Sequence, residues 1–210
     1  MFDKVYVIHL PNAERREGMD RELARMGLTA TFLHAQIPGR GFTMTNMRRN
    51  PAAEFGCGLS HVKALVRALA DGAQCPLFLE DDVRFLCGPE RLAEVVAELP
   101  EGWGICYFGG HPRGPVRRVS PSLVRVGAFS FAEAYTIRGP MLRAALDFWL
   151  DRVGQPNAMY DLVLGEFAAA HHGYCTYPLL TEQPPGWSAI GNKVDDKRNL
   201  VERGWQNNLR

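Results

Sequence analysis

"KVYVIHLPNAERREGMDRELARMGLTATFLHA", Lys4 to Ala35, decides the fold class. Its opening segment, Lys4 to Leu10, is rich in β-branched and aromatic residues and runs into Pro11, which predicts a central strand. A helix follows over about Ala13 to Met26. There Met19, Leu23 and Met26 recur at i, i+4 and i+7, Asn12 can cap the start, and Gly27 can close the end. "TATFLHA" then reads as a second strand. This strand–helix–strand order is the mark of an α/β domain with a mostly parallel sheet flanked by helices.

The alternation continues downstream. After Pro51, residues Leu59, Val62, Leu65, Val66 and Leu69 mark one face of a helix, and "PLFLE", Pro76 to Glu80, reads as a short buried strand. "RLAEVVAEL" is an amphipathic helix, and "GICYFGG" is a core strand ended by paired glycines. Short strands are expected at Leu123 to Val126 and Ala132 to Ile137, helices at Pro140 to Leu150 and Met159 to Ala170, and a strand in "YCTYPL". Gln36 to Asn50 shows no clean period and reads as a surface loop near a site or a disordered crossing. Residues 1–192 form one domain in this reading, with 193–210 a polar C-terminal tail.

Composition narrows the function classes. The chain has 210 residues, 46% hydrophobic and 22% charged, with a formal net charge of +1, so nothing in the overall charge suggests a polyanionic partner such as nucleic acid. No secretory signal is recognisable at the N-terminus, and no segment reaches the roughly 18 apolar residues of a membrane span; a cytoplasmic chain is expected. Cys57, Cys75, Cys87, Cys106 and Cys175 are odd in number and contain no C-x-x-C pair, which favours reduced, buried thiols over disulfides or a thiolate zinc site.

Three consecutive acids, Glu80, Asp81 and Asp82, close the "PLFLE" strand, where open α/β sheets bind ligands beyond their strand ends. Alternation along an extended chain sends Glu80 and Asp82 to one side and Asp81 to the other. The first two can then face one hard cation, Mg²⁺ or Mn²⁺, with a bound diphosphate supplying further oxygens. A solvated turn is the competing reading of such a triplet.

Several ordered motifs resemble glycosyltransferase family 25, which includes lipooligosaccharide and collagen galactosyltransferases. They are the opening strand with Arg15 and Arg16, "TFLHAQIPG", "EFGCGLSHVKAL", "LFLEDDV", "AEAYTIRGPMLRAAL", "MYDLVL" and "TEQPPGWSAIGN". His9 and Glu14 depart from residues common in that family. The resemblance implies a GT-A-like fold with a Rossmann-like nucleotide-binding half and an acceptor-side half. It further implies inverting transfer of a sugar, galactose in the first instance, from a UDP-sugar to a glycan hydroxyl of a lipooligosaccharide or surface polysaccharide precursor.

Under that resemblance Asp82 is the direct metal ligand. Glu80 contacts the metal or, like Asp81, the ribose or a metal-bound water. Asp161 is the base that takes the acceptor proton, its alternative being a helix cap. Arg15 and Arg16 follow the first strand where guanidinium groups could reach the diphosphate, with a ligand role favoured for only one of the two over a solvated helix face. Ser60 and His61 are assigned to the donor pocket, against a cap and a buried imidazole. Gln183 and Ser188 are expected to close over the diphosphate. Trp187 is either a sugar platform or a core side chain, and His171 with His172 suits a helix C-terminus better than a metal. "HPRGPVRR", His111 to Arg118, is a small basic loop that suits peripheral contact with a membrane carrying a lipid-linked acceptor, or simple solubility. A metal-dependent nucleotidyl- or phosphotransferase uses the same carboxylates, but no Walker-type loop supports it. A sugar-nucleotide-binding module without turnover is the non-enzymatic alternative.

Overall fold

The computed structural model describes residues 2–37, 51–155, 158–188 and 193–209; most of the Gln36 to Asn50 loop lies outside them. Chain order begins β1 (Lys4–His9), α1 (Ala13–Arg25), β2 (Thr31–His34), α2 (Pro51–Ala70), β3 (Pro76–Glu80), β4 (Arg84–Phe85), α3 (Pro89–Ala97) and β5 (Ile105–Tyr107). It continues with β6 (His111–Pro112), β7 (Val116–Arg118), β8 (Leu123–Val126), β9 (Phe129–Ser130), β10 (Ala134–Ile137), α4 (Leu142–Leu150) and α5 (Tyr160–Ala170). Last come β11 (Gly173–Thr176), β12 (Thr181–Glu182), β13 (Gly186–Ser188), β14 (Lys193–Asp195) and α6 (Arg198–Asn208).

Eight strands form one mixed sheet in the order β2-β1-β3-β10-β5-β11-β8-β7. The pairs β1–β2, β1–β3 and β5–β11 are parallel. β10 runs antiparallel to both β3 and β5, and β8 antiparallel to both β11 and β7. Most strands therefore share one direction, with β10 and β8 reversed, and the fold is a mixed, helix-flanked sheet of the expected α/β class.

Strand parity builds the two cores. Val5 and Val7 of β1 and Leu77 and Leu79 of β3 pack with Met19 and Leu23 of α1 and Leu92 and Val95 of α3. Tyr6, Ile8 and Phe78 point to the opposite face, against Leu65 of α2 and the α4–α5 pair that carries Trp149 and Phe167. The caps of α1 follow the sequence: the Asn12 side chain accepts from Arg15 N–H, and Gly27 takes a left-handed conformation, φ 63°, just past the end. Gly110 ends the β5 segment at φ 122°, where an added Cβ would lie 2.9 Å from the Ser130 carbonyl oxygen.

The polar tail is a correction. Residues from Lys193 onward form β14 and then α6, whose Trp205 is only 5% exposed. Its indole N–H donates to the Gly110 carbonyl at 3.1 Å, and the ring meets Tyr177 (centroids 4.8 Å apart) and the edge of Phe129. Tertiary contacts, not local propensity, order this helix. Among the described residues no helix is long and apolar enough to cross a membrane.

Candidate functional site

The carboxyl end of β3 opens into a cavity of about 400 Å³, walled by the end of β1, Arg15 of α1, the first half of α2, and the β12–β14 segment with Lys197. Glu80 is the last residue of β3, and Asp81 and Asp82 lie in the turn that follows; all three line the cavity. Glu80 continues the Phe78 face toward α2, and its Oε1 lies 3.3 Å from His61 Nε2. Asp81 turns to the α1 face: Oδ1 accepts from Arg15 Nη1 at 2.7 Å and Oδ2 from Leu10 N–H at 2.8 Å. The Gln183 Nε2 amide donates to both Glu80 Oε2 and Asp82 Oδ1, each at 2.8 Å.

Cations frame this pair. Arg15 Nη1 also lies 3.2 Å from Asp82, while its Nη2 donates to the Trp187 carbonyl. Lys197 donates to Gln183 Oε1 at 2.6 Å, and its ammonium sits 4.7 Å from the Phe131 ring centre. Burial pushes the Asp82 carboxyl up, and the Glu80 charge adds to this, to about 6. Burial also opposes ionisation of Glu80, but the His61 hydrogen bond and the charges of His61, Lys197 and Arg15 leave that carboxyl below its ordinary value.

Other sequence-predicted residues divide between the cavity and elsewhere. Ser60 and His61 both line it. Ser60 is no cap, because α2 starts at Pro51; its hydroxyl donates to Gly56 O and accepts from Gln36 N–H, tying the end of β2 to the helix. His61 is buried, stacked on Tyr160 with centroids 4.4 Å apart, and Nδ1 lies 3.1 Å from the Tyr135 hydroxyl. Ser188 and the half-exposed Trp187 ring stand on the opposite wall, so Trp187 is not a core side chain.

Arg16 corrects the pair reading. Its Nε bonds Asp20 one turn on, its guanidinium lies over the Phe32 ring, and it does not line the cavity. Asp161 is likewise not among the lining residues. Its Oδ2 accepts from Phe131 N–H at 3.1 Å and its Oδ1 from Leu162 N–H at 2.9 Å, so the carboxylate holds a loop residue whose φ is 72°. His171 packs on Phe167 at the end of α5, away from the acids.

Two residues of the cavity, Lys197 and Cys57, escape the sequence reading, as does Glu133, whose carbonyl accepts from Glu80 N–H. Lys197 falls in the stretch read as a tail. Cys57 lines the cavity beside His61, and its Sγ, a His61 ring nitrogen and a Glu80 oxygen all lie within 4.8 Å of one another, a set able to hold a metal ion. Glu133 is 4% exposed just before β10, and its Oε2 has no hydrogen-bond partner among the described residues. Burial, then the Glu80 charge, pushes its carboxyl up to about 8. The sequence cues for Cys57 are its place in "EFGCGLSHVKAL" and its i, i+4 spacing to His61.

Fold and cavity together define an α/β protein with a cavity beyond the carboxyl ends of β1 and β3, where open α/β sheets bind ligands. The particular likeness is to proteins that carry the glycosyltransferase 25 family name. Over 168 residues the chain is 29% identical to the human "inactive glycosyltransferase 25 family member 3", covering 65% of this chain and 27% of that protein. The rat "probable inactive" member is 29% identical over 167 residues, 65% of this chain and 28% of its own length. The chain thus spans just over a quarter of these relatives. No family model matches it. Among solved structures, a mannose-1-phosphate geranyltransferase from Thermus thermophilus aligns with TM-score 0.46 and 13% identity, covering 82% of this chain and 73% of that one. A glycosyltransferase involved in glycosylation of the PBCV-1 major capsid aligns with TM-score 0.41 and 7% identity, covering 71% and 68%.

Proposed function

We propose that this chain binds a UDP-sugar in the β3-end cavity and transfers the sugar, with inversion, to a hydroxyl of a glycan acceptor. Galactose is the proposed sugar and a lipooligosaccharide or surface polysaccharide precursor the proposed acceptor, lipid-linked and met by the cytoplasmic enzyme at the membrane face. The observation that carries this reading is the pair Glu80 and Asp82, which share one amide donor inside a cavity whose walls also carry Arg15 and Lys197. Carboxylates for a cation beside cations for an anion is the arrangement that a metal-bound diphosphate requires.

A divalent ion fits the carboxylates present. Burial and the Glu80 charge hold the Asp82 carboxyl at about 6, and a hard cation against both side chains would relieve that repulsion through an all-oxygen donor set. Asp82 and Glu80 would hold Mn²⁺ or Mg²⁺, which when bound supplies Lewis-acid stabilisation of the leaving diphosphate. Arg15 and Lys197 bind the phosphates directly, Asp81 fixes Arg15, and Gln183 with Ser188 closes the opposite wall. Trp187 offers an exposed ring at the cavity wall for the sugar. Asp161 is the proposed base for the acceptor hydroxyl.

A second reading, binding without turnover, is favoured by one observation: both Asp161 oxygens are held by backbone N–H groups. The relatives named inactive point the same way. A panel of nucleotide sugars, scored for binding and for UDP release with and without Mn²⁺, separates the two. Mn²⁺-dependent binding that Asp82→Ala abolishes supports the site. UDP and glycoside release supports transfer, while binding with no release supports the module. If no UDP-sugar binds and Asp82→Ala changes nothing, both fall.

A further inference from the structure

We propose that Cys57, His61 and Glu80 form a Zn²⁺ site on the α2 wall of the cavity, distinct from the oxygen-only pair of Glu80 and Asp82. Cys57 and His61 are four residues apart on α2 and so project from the same face, toward the end of β3. Their donor atoms and a Glu80 oxygen lie within 4.8 Å of one another. Tetrahedral zinc, with bonds of about 2.0–2.3 Å, sets its ligands roughly 3.3–3.8 Å apart, so closing the site takes roughly 1 Å of side-chain movement at its widest edge.

The surroundings of His61 suit a ligand. Zinc on Nε2 requires the proton on Nδ1, and Nδ1 lies 3.1 Å from the Tyr135 hydroxyl, which accepts it and passes its own hydrogen to Tyr160, 3.0 Å away. Stacking on Tyr160 holds the imidazole plane. The two Glu80 oxygens are divided: Oε1 faces His61, and Oε2 faces Gln183 and through it Asp82. Binding replaces the thiol hydrogen of Cys57 by zinc and releases that proton to solvent, leaving the fourth position open to the cavity. A thiolate, an imidazole and one carboxylate favour zinc over Mn²⁺ or Mg²⁺.

The test uses metal alone, with no nucleotide, so its outcome is independent of the sugar-transfer reading. Co²⁺ added to the full chain should give the visible bands of tetrahedral coordination and a near-ultraviolet thiolate-to-cobalt charge-transfer band, both displaced by Zn²⁺. Cys57→Ser should remove the charge-transfer band, and His61→Gln should weaken zinc, in competition with a chromophoric chelator, by more than about 100-fold. Cys75→Ser should change neither. Absence of the charge-transfer band in the unmodified protein overturns the site without recourse to any variant. So does zinc affinity that survives Cys57→Ser.

Discussion

The Arg15 guanidinium lies 2.7 Å from the Asp81 carboxylate, joining α1 to the end of β3 at the floor of the cavity. Asp81 is 5% exposed, and its second oxygen takes the Leu10 N–H at the end of β1. One side chain thus fixes three elements around the acids. Asp81→Ala removes the nearer of the two carboxylates paired with Arg15 and leaves the Leu10 N–H unsatisfied, at an expected cost of about 3 kcal/mol. Denaturant unfolding measures it; a loss indistinguishable from that of an exposed charge such as Asp147→Ala contradicts the floor role.

Trp205 anchors α6 through Gly110, Phe129 and Tyr177. Trp205→Ala should cost about 3–5 kcal/mol by cavity formation. An unfolding midpoint unchanged by that substitution would mean that the helix is not docked in solution.

The difference between α1 and α6 shows what local pattern carries. In α1 the cap, the stripe and the closing glycine all lie within the helix's own sequence. Arg15 itself continues that stripe, four residues before Met19 and eight before Leu23, so the choice of Arg15 over Arg16 was legible from helical spacing. That the three acids sit at the end of β3 was legible, but their separate contacts were not: strand parity reaches only to Glu80, and Asp81 and Asp82 are placed by the turn that follows, with all three lining the cavity. In α6 the apolar side chains are only Leu200, Val201 and Trp205, among Arg, Glu, Gln and Asn, and Trp205 is buried by Gly110, Phe129 and Tyr177 from elsewhere in the chain. Lys197 meets Gln183 through the β13–β14 pair, which no periodicity announces. Glu133 reads as an ordinary polar residue before a strand; it is buried because β10 inserts between β3 and β5.

Glu133 gives the protein a pH dependence with a defined sign. The unfolded chain ionises this carboxyl near 4.5, whereas the folded chain retains the proton to about 8. Between those values the native state carries more protons, so this residue's contribution to stability falls as pH rises and levels off above about 8. Asp82 acts in the same direction over a lower range, up to about 6. Glu133→Gln keeps the shape and removes the titration, so it should exceed the parent protein in stability at about pH 8 by more than about 1 kcal/mol. Parallel unfolding curves at every pH for the two proteins exclude a buried, protonated Glu133.

Asp161 separates a chemical role from a positional one. Its Oδ2 holds Phe131 N–H, and the Phe131 ring lies beneath the Lys197 ammonium that reaches Gln183. Asparagine keeps a carbonyl oxygen for that backbone donor but cannot take a proton from an acceptor hydroxyl. If Asp161 is the base, Asp161→Asn binds the nucleotide sugar like the parent and loses transfer by about 100-fold or more. If it only supports the loop, Asp161→Asn transfers near normally while Asp161→Ala weakens donor binding through Phe131 and Lys197. Comparing the two variants in binding and single-turnover assays therefore decides between them, and a near-normal Asp161→Asn moves the base to another carboxylate of the cavity.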